Sequence, residues 1–101
     1  MSSFKDLVAG DQPVLIDFSA EWCGPCKMLH PILEQASKEL GDEVRIVKID
    51  VDRNPALAQQ LRIQGVPTLM LYKAGQVVWR QSGVVPLAQL VQTIRSYTAS
   101  V

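Results

Sequence analysis

Pro13-Val14-Leu15-Ile16-Asp17-Phe18-Ser19-Ala20-Glu21-Trp22-Cys23-Gly24-Pro25-Cys26-Lys27 decides how this chain is read. Pro13–Phe18 is an almost unbroken apolar run, the pattern of a strand covered on both faces, as in a parallel sheet. A short loop follows. From Cys23 to Leu40 the residues Leu29, Ile32, Leu33, Ala36 and Leu40 recur at helical spacing. Pro31 interrupts that helix, predicting a kink and a freed Lys27 carbonyl, and Gly41 ends it. The only two cysteines of the chain therefore stand where a strand hands over to a helix.

The flanks extend this pattern in both directions. Ser3 and Asp6 have the spacing of a helix cap with an acidic first turn, and Gly10 is placed to end that short helix. Val44–Asp50 reads as a second strand. Asn54-Pro55 opens a short helix carrying Leu57, Ala58 and Leu61. Thr68–Tyr72 and Val77–Ser82 flank Lys73-Ala74-Gly75-Gln76, a hairpin in which Gly75 supplies the positive φ. Pro86 opens a last helix with Leu87, Leu90, Val91, Ile94 and Tyr97 on one stripe. The order αβαβαββα predicts an α/β fold: a mixed sheet, parallel at first, with helices on both faces.

A chain of 101 residues with 48% apolar content fits one domain with a real core. Ten basic and ten acidic residues cancel, so no overall field draws the chain to nucleic acid or an anionic membrane. No apolar run is long enough to span a bilayer. Met1–Asp6 lacks a signal-peptide pattern, so a reducing, cytoplasmic setting is the expectation. There a lone Cys-x-x-Cys reads as catalytic or metal-binding before it reads as structural.

The spacing favours a reversible switch. A disulfide closing a four-residue loop adds only about 2 kcal/mol by chain entropy, against about 3 for fifteen residues. Cys23, at the helix start, sits near unpaired amides that favour its thiolate. A drop of one pKa unit is worth about 1.4 kcal/mol, within the reach of a helix terminus. Cys23 is the expected nucleophile. Cys26, one turn in and expected to be the more buried, is the expected resolving sulfur. Pro25 restricts the loop between them. The competing reading is half of a metal site. Zinc needs four ligands, there is no second cysteine pair, and the lone His30 lies about 10.5 Å along the helix from Cys23. His30 otherwise reads as a solvated helix residue. Asp17 is the one charge in an apolar strand, and two readings stand for it. Buried, its pKa rises and it can take the Cys26 proton during resolution; at a strand end it would simply face solvent.

Asp17-Phe18-Ser19-Ala20-Glu21-Trp22-Cys23-Gly24-Pro25-Cys26-Lys27 resembles the active-site segment of thioredoxins. The resemblance continues through Met28 and Pro31, Asp52 with Asn54-Pro55, Gly65-Val66-Pro67-Thr68, the Lys73/Gly75 hairpin and Gly83, so it covers nearly the whole chain. It implies reduction of protein disulfides, with electrons from an NADPH-dependent thioredoxin reductase. The nicotinamide would belong to that partner, and no cofactor would be bound here. It carries over the attacking role to Cys23 and the resolving role to Cys26. Asp17 becomes the buried acid, with the charge of Lys48 near it. Gly24, Pro25 and Lys27 tune the pair. Pro67 matches a cis-proline facing the cysteines, which would leave the Val66 backbone free to pair with an extended substrate segment. Trp22, Val66, Pro67, Gly83 and Val84 would form an apolar docking surface, and Asp52 matches an acid that binds the tryptophan indole.

Two departures from that family stand out. Ser19 occupies a position where many members carry a second tryptophan, which alters packing more than chemistry. The chain also offers no room for the additional strand with which many members begin. Four strands are therefore expected, with Val44–Ile49 at the sheet edge, blunted by Arg45 and Lys48. The expected state is a monomer, with edge contacts at high concentration. Glu34 and Lys38 read as an i,i+4 ion pair, and Trp79 as a packing residue. The functional alternative to the reductase is a binding module or assembly subunit that uses the same apolar surface, with incidental cysteines.

Overall fold

The computed structural model describes residues 3–99. Val14–Ser19 (β1) is buried at every position, as its apolar run requires. It lies inside a four-stranded sheet of order β2-β1-β3-β4, with β2 Arg45–Asp50, β3 Thr68–Lys73 and β4 Gln76–Ser82. β1 pairs with β2 in parallel, placing Asp17 opposite Lys48, and with β3 antiparallel, placing Asp17 opposite Leu69. Such a parallel pair needs a crossover, and Gly24–Leu40 (α2) supplies it. The remaining helices are Phe4–Val8 (α1), Pro55–Gln60 (α3) and Leu87–Thr98 (α4). The order, the mixed sheet and the four strands agree with expectation among the described residues. β2 is an edge strand.

The period-two alternation of β1 divides the core. Leu15 faces α2 and α4, packing with Leu29, Leu33, Ala36, Leu69, Leu90 and Ile94. Val14, Ile16 and Phe18 face the other way, toward Val8, Met70 and Tyr72 and the half-buried Leu57 and Leu61. Phe4 closes that side, edge-on to Tyr72 at 5.4 Å and tilted to Phe18 at 6.3 Å. Asp17 and Ser19 share the parity of Leu15, so their side chains look toward α2. This single register choice sets a carboxyl behind the helix that carries the cysteines.

Several boundaries differ from the sequence reading. α1 carries the expected reciprocal Ser3/Asp6 cap, but it ends at Ala9 rather than Gly10. Gly75 is instead tied back by donating its N–H to Val8 O at 2.9 Å. The hairpin turn is two residues, Ala74 and Gly75, with φ of 50° and 80°; a two-residue turn matching strand twist needs positive φ at both. Asn54 precedes α3 without capping it, because its side chain donates to Asp50 O at 2.9 Å. Tyr97 does not join the buried stripe of α4. It is 40% exposed, because the stripe has turned past the sheet by the last turn of the helix. Trp79 packs half-buried against the α2/α4 core. α2 continues through Pro31 to Leu40.

Candidate active site

Cys23 is the residue that ends the loop and caps α2. Its backbone is extended, with φ −89° and ψ 113°, and its N–H bonds Ala20 O at 3.2 Å. Pro25 fills a first-turn position, where a missing N–H costs nothing. The next free amide, Cys26 N–H, donates to Cys23 Sγ at 3.1 Å. This is the helix-terminus interaction expected to favour negative charge on that sulfur. The two sulfurs are joined in a disulfide with Cα atoms 5.3 Å apart.

Cys26 is not the more buried of the pair. Cys23 is 3% exposed and Cys26 6%, because Ala20, Val51 and Val66 enclose the disulfide from both sides. At Gly24, between the two cysteines, an added Cβ would meet nothing within 4 Å. Gly24 therefore answers no steric demand within the chain.

Val66 precedes a cis Val66–Pro67 bond, and its carbonyl oxygen lies 3.6 Å from Cys23 Sγ. Pro67 is buried beneath the loops around Cys23. Gly83, at φ 93°, donates its N–H to Pro67 O at 2.9 Å and so joins the two loops around Cys23; a side chain there would be strained. Thr68 bonds Gly65 O at 2.6 Å and Ser82 Oγ at 3.0 Å, closing the base. Trp22 is 70% exposed and hydrogen-bonds Asp52, and Val84 and Met28 are also exposed large apolar residues.

Asp17 is 2% exposed, and its Oδ1 has no hydrogen-bond partner. Burial pushes its carboxyl up from 3.8 to about 6, with the charges of Lys48 and then His30 acting in the opposite direction. Of its two readings, the buried one is correct. Lys48 is exposed on the neighbouring strand, and Lys27 and Lys48 both line the cleft beside Cys26. Glu34 pairs with His30, Nε2 to Oε1 at 2.8 Å, rather than with Lys38. Side chains on a helix lean toward its N-terminus, which turns Glu34 toward the preceding turn. Ser19 is buried with an unpartnered hydroxyl. No cluster of three or more metal-ligating side chains stands among the described residues.

The sequence reading missed two contributors. Arg80 donates to Leu61 O at 2.8 Å and Arg62 O at 2.7 Å, fastening the segment that leads to Val66; no local spacing signals that contact. His30 is exposed, as expected of a solvated helix residue, and it also lines the cleft beside Cys26, a placement its i,i+4 relation to Cys26 could have signalled.

With this geometry in view, the thioredoxin family model matches residues 1–96. The chain belongs to the thioredoxin family. A thioredoxin-like protein of Synechocystis sp. is 48% identical over 97 residues, covering 95% of this chain and 92% of that one. The thioredoxin of Acidithiobacillus ferridurans is 45% identical over 91 residues, covering 90% and 84%. Among solved structures, a mutant thioredoxin from Halobacterium salinarum superposes with a TM-score of 0.86 at 40% identity, covering 96% of this chain and 84% of that one. The family's chemistry is thiol–disulfide exchange on proteins, and the Cys23–Cys26 disulfide is the group that performs it here. No helix among the described residues is long and apolar enough to cross a membrane.

Proposed function

We propose that the chain works as a protein-disulfide reductase in which Cys23 attacks and Cys26 resolves. The observation that carries this reading is the Cys26 amide on Cys23 Sγ at 3.1 Å, at the first turn of α2. That donor stabilises the thiolate that thiol–disulfide exchange requires. Attack on a substrate disulfide forms a bond between Cys23 and one substrate sulfur and expels the other as a thiolate. Cys26 then loses its proton, bonds Cys23 and releases the first substrate sulfur. Asp17 is the base we assign to that second step, since its carboxyl is half protonated at about pH 6. An extended substrate segment pairs with the Val66 backbone, beside Trp22, Gly83 and Val84, with little demand on its sequence. Lys48 and Lys27 set the potential around the pair.

Regeneration by an NADPH-linked thioredoxin reductase belongs to this proposal, as does a place in cytoplasmic electron transfer and redox homeostasis. A reductant works only where its dithiol is kept reduced. The test is insulin reduction with NADPH and a thioredoxin reductase. Native protein is expected to accelerate turnover, Cys23→Ser to abolish it, and Cys26→Ser to accumulate a mixed disulfide on Cys23. Full activity in Cys23→Ser would overturn the reading. Native protein that is inactive but copurifies with one partner would make the chain a docking module instead.

A further inference from the structure

Two clefts open along the same side of α2, and His30 stands between them. The first, of about 390 Å³, reaches Cys26. The second, of about 220 Å³, reaches Asp17. His30 and Lys48 wall both. Helix geometry produces this: Cys26, His30, Leu33, Glu34 and Ser37 follow i, i+4, i+7, i+8 and i+11, one stripe along α2. Across the clefts, β2 contributes Lys48 next to Asp17 in register. Each cleft has room for several waters at about 30 Å³ apiece.

Asp17 Oδ1 has no protein partner and Asp17 is buried, so a proton taken up there has to leave through the cleft. The charged groups facing that route are Lys27 and Glu34 on α2, Glu21 in the loop after β1, and Lys48 on β2. An ammonium has no acceptor; His30 and the two glutamates are alike exposed, but Glu21 lines only the first cleft and Glu34 only the second, whereas His30 lines both. Imidazoles as a class both accept and release protons between about pH 5 and 8. The 2.8 Å contact from His30 Nε2 to Glu34 Oε1 sets the hydrogen on Nε2, which leaves Nδ1 as the acceptor of the neutral ring.

We propose that His30, oriented by Glu34, is the proton port of the dithiol. It receives at Nδ1, through cleft water, the proton that Asp17 takes from Cys26, and passes it to solvent. This rests on Asp17 being the base of the resolving step. In that step the Cys26 S–H bond breaks and its proton goes to the Asp17 carboxylate. The Cys26 sulfur bonds Cys23 Sγ as the bond from Cys23 to substrate breaks. The electron pair of the broken bond leaves on the substrate sulfur, which takes a proton from water. The substrate is reduced, and the protein dithiol becomes the disulfide. The port empties Asp17 as this exchange proceeds, so the carboxyl is not left protonated while the sulfurs trade partners and loss of the port slows the same step. His30 touches neither sulfur and acts only through Asp17. Protonated, it can no longer accept, and its charge opposes proton uptake by Asp17.

The test measures release of substrate thiol from a preformed mixed disulfide on Cys23, from pH 5 to 9. His30→Ala and His30→Gln are expected to slow release severalfold at pH 7.5, less than loss of the general base itself would, because His30 acts only through Asp17. Free imidazole is expected to restore the His30→Ala rate, which a merely structural role would not allow. Glu34→Gln, keeping the shape but weakening the hold on the ring, is expected to fall between. The double variant of His30→Gln with Asp17→Asn is expected to be no slower than Asp17→Asn alone. His30 variants that overlay the native profile while Asp17→Asn is slow would overturn the port but leave the base standing. A slow His30→Ala that imidazole does not rescue would also overturn the port. An Asp17→Asn variant releasing at the native rate would remove the base reading and the port together.

Discussion

Trp22 donates its indole Nε1–H to Asp52 Oδ2 at 2.7 Å. The bond ties the loop ahead of Cys23 to the loop that follows β2, and Asp52 is itself fixed by its N–H on Asp50 Oδ1 at 2.8 Å. A side chain as exposed as Trp22 is otherwise free to sample rotamers. The carboxylate holds it in one orientation beside the disulfide loop. Asp52→Ala is expected to lower kcat/KM for insulin reduction by about three- to tenfold, the worth of roughly 1 kcal/mol for one hydrogen bond. Thermal stability should change little. Unchanged kcat/KM together with unchanged tryptophan emission would show that the bond does not order the indole in solution.

Asp17→Asn is expected to stabilise the fold at neutral pH. The carboxyl holds its proton more tightly when folded, since burial raises it from 3.8 to about 6. Folded protein therefore binds more protons than unfolded protein across that window, and stability falls as pH rises through it. Below 3.8 the acid is protonated in both states and the penalty vanishes. Urea unfolding at pH 7.5 should show a gain of about 2 to 3 kcal/mol for Asp17→Asn, shrinking toward zero by about pH 4. A gain independent of pH would mean that packing, not charge, is its source.

Arg80→Ala removes two donors from the carbonyls of Leu61 and Arg62. Hydrogen bonds from a charged group contribute about 1.5–3 kcal/mol where they are not screened, and this pair is exposed, so a loss of about 1 kcal/mol is expected. Because the fastened segment leads to Val66, the KM for protein disulfides should rise more than kcat falls. A change confined to kcat would contradict the loop-fastening role.

Ser19→Ala tests a buried hydroxyl without a partner. Removing an unsatisfied group from an apolar site is expected to be neutral or stabilising by up to about 1 kcal/mol. A loss of more than 1 kcal/mol would reveal a bonded water at that hydroxyl.

The outer position of β2 carries the association forecast. Its Arg45 and Lys48 side chains are exposed on a strand whose second edge has no partner strand among the described residues. Sedimentation across a concentration series should show monomer at micromolar concentration and weak self-association approaching millimolar. Strict monomer throughout would show that the two cations blunt the edge fully.

Much of this was legible because the determinants are local. The apolar run of β1, the 3.6-residue stripe of α2 and the Gly75 turn each depend on neighbours a few residues apart. Resemblance to the family supplied what local spacing does not show, the cis Val66–Pro67 bond and the Trp22–Asp52 pairing. What escaped was long-range or competitive. Arg80 reaches the Leu61–Arg62 carbonyls from another element, and Asn54 prefers the Asp50 carbonyl to its own helix. Glu34 had two possible partners on α2, and the lean of helical side chains chose His30. The near-equal burial of the two sulfurs depends on Val51 and Val66, which approach from separate loops.

Lys73, beside the β3–β4 turn, donates from Nζ to Tyr97 O at 3.2 Å, so the last turn of α4 finishes at the margin of the sheet away from Cys23. Cargo fused beyond that turn would trail behind the molecule like a handle behind a blade. Anchoring it there to a bead or an electrode should leave the sulfurs facing outward and free to meet large clients.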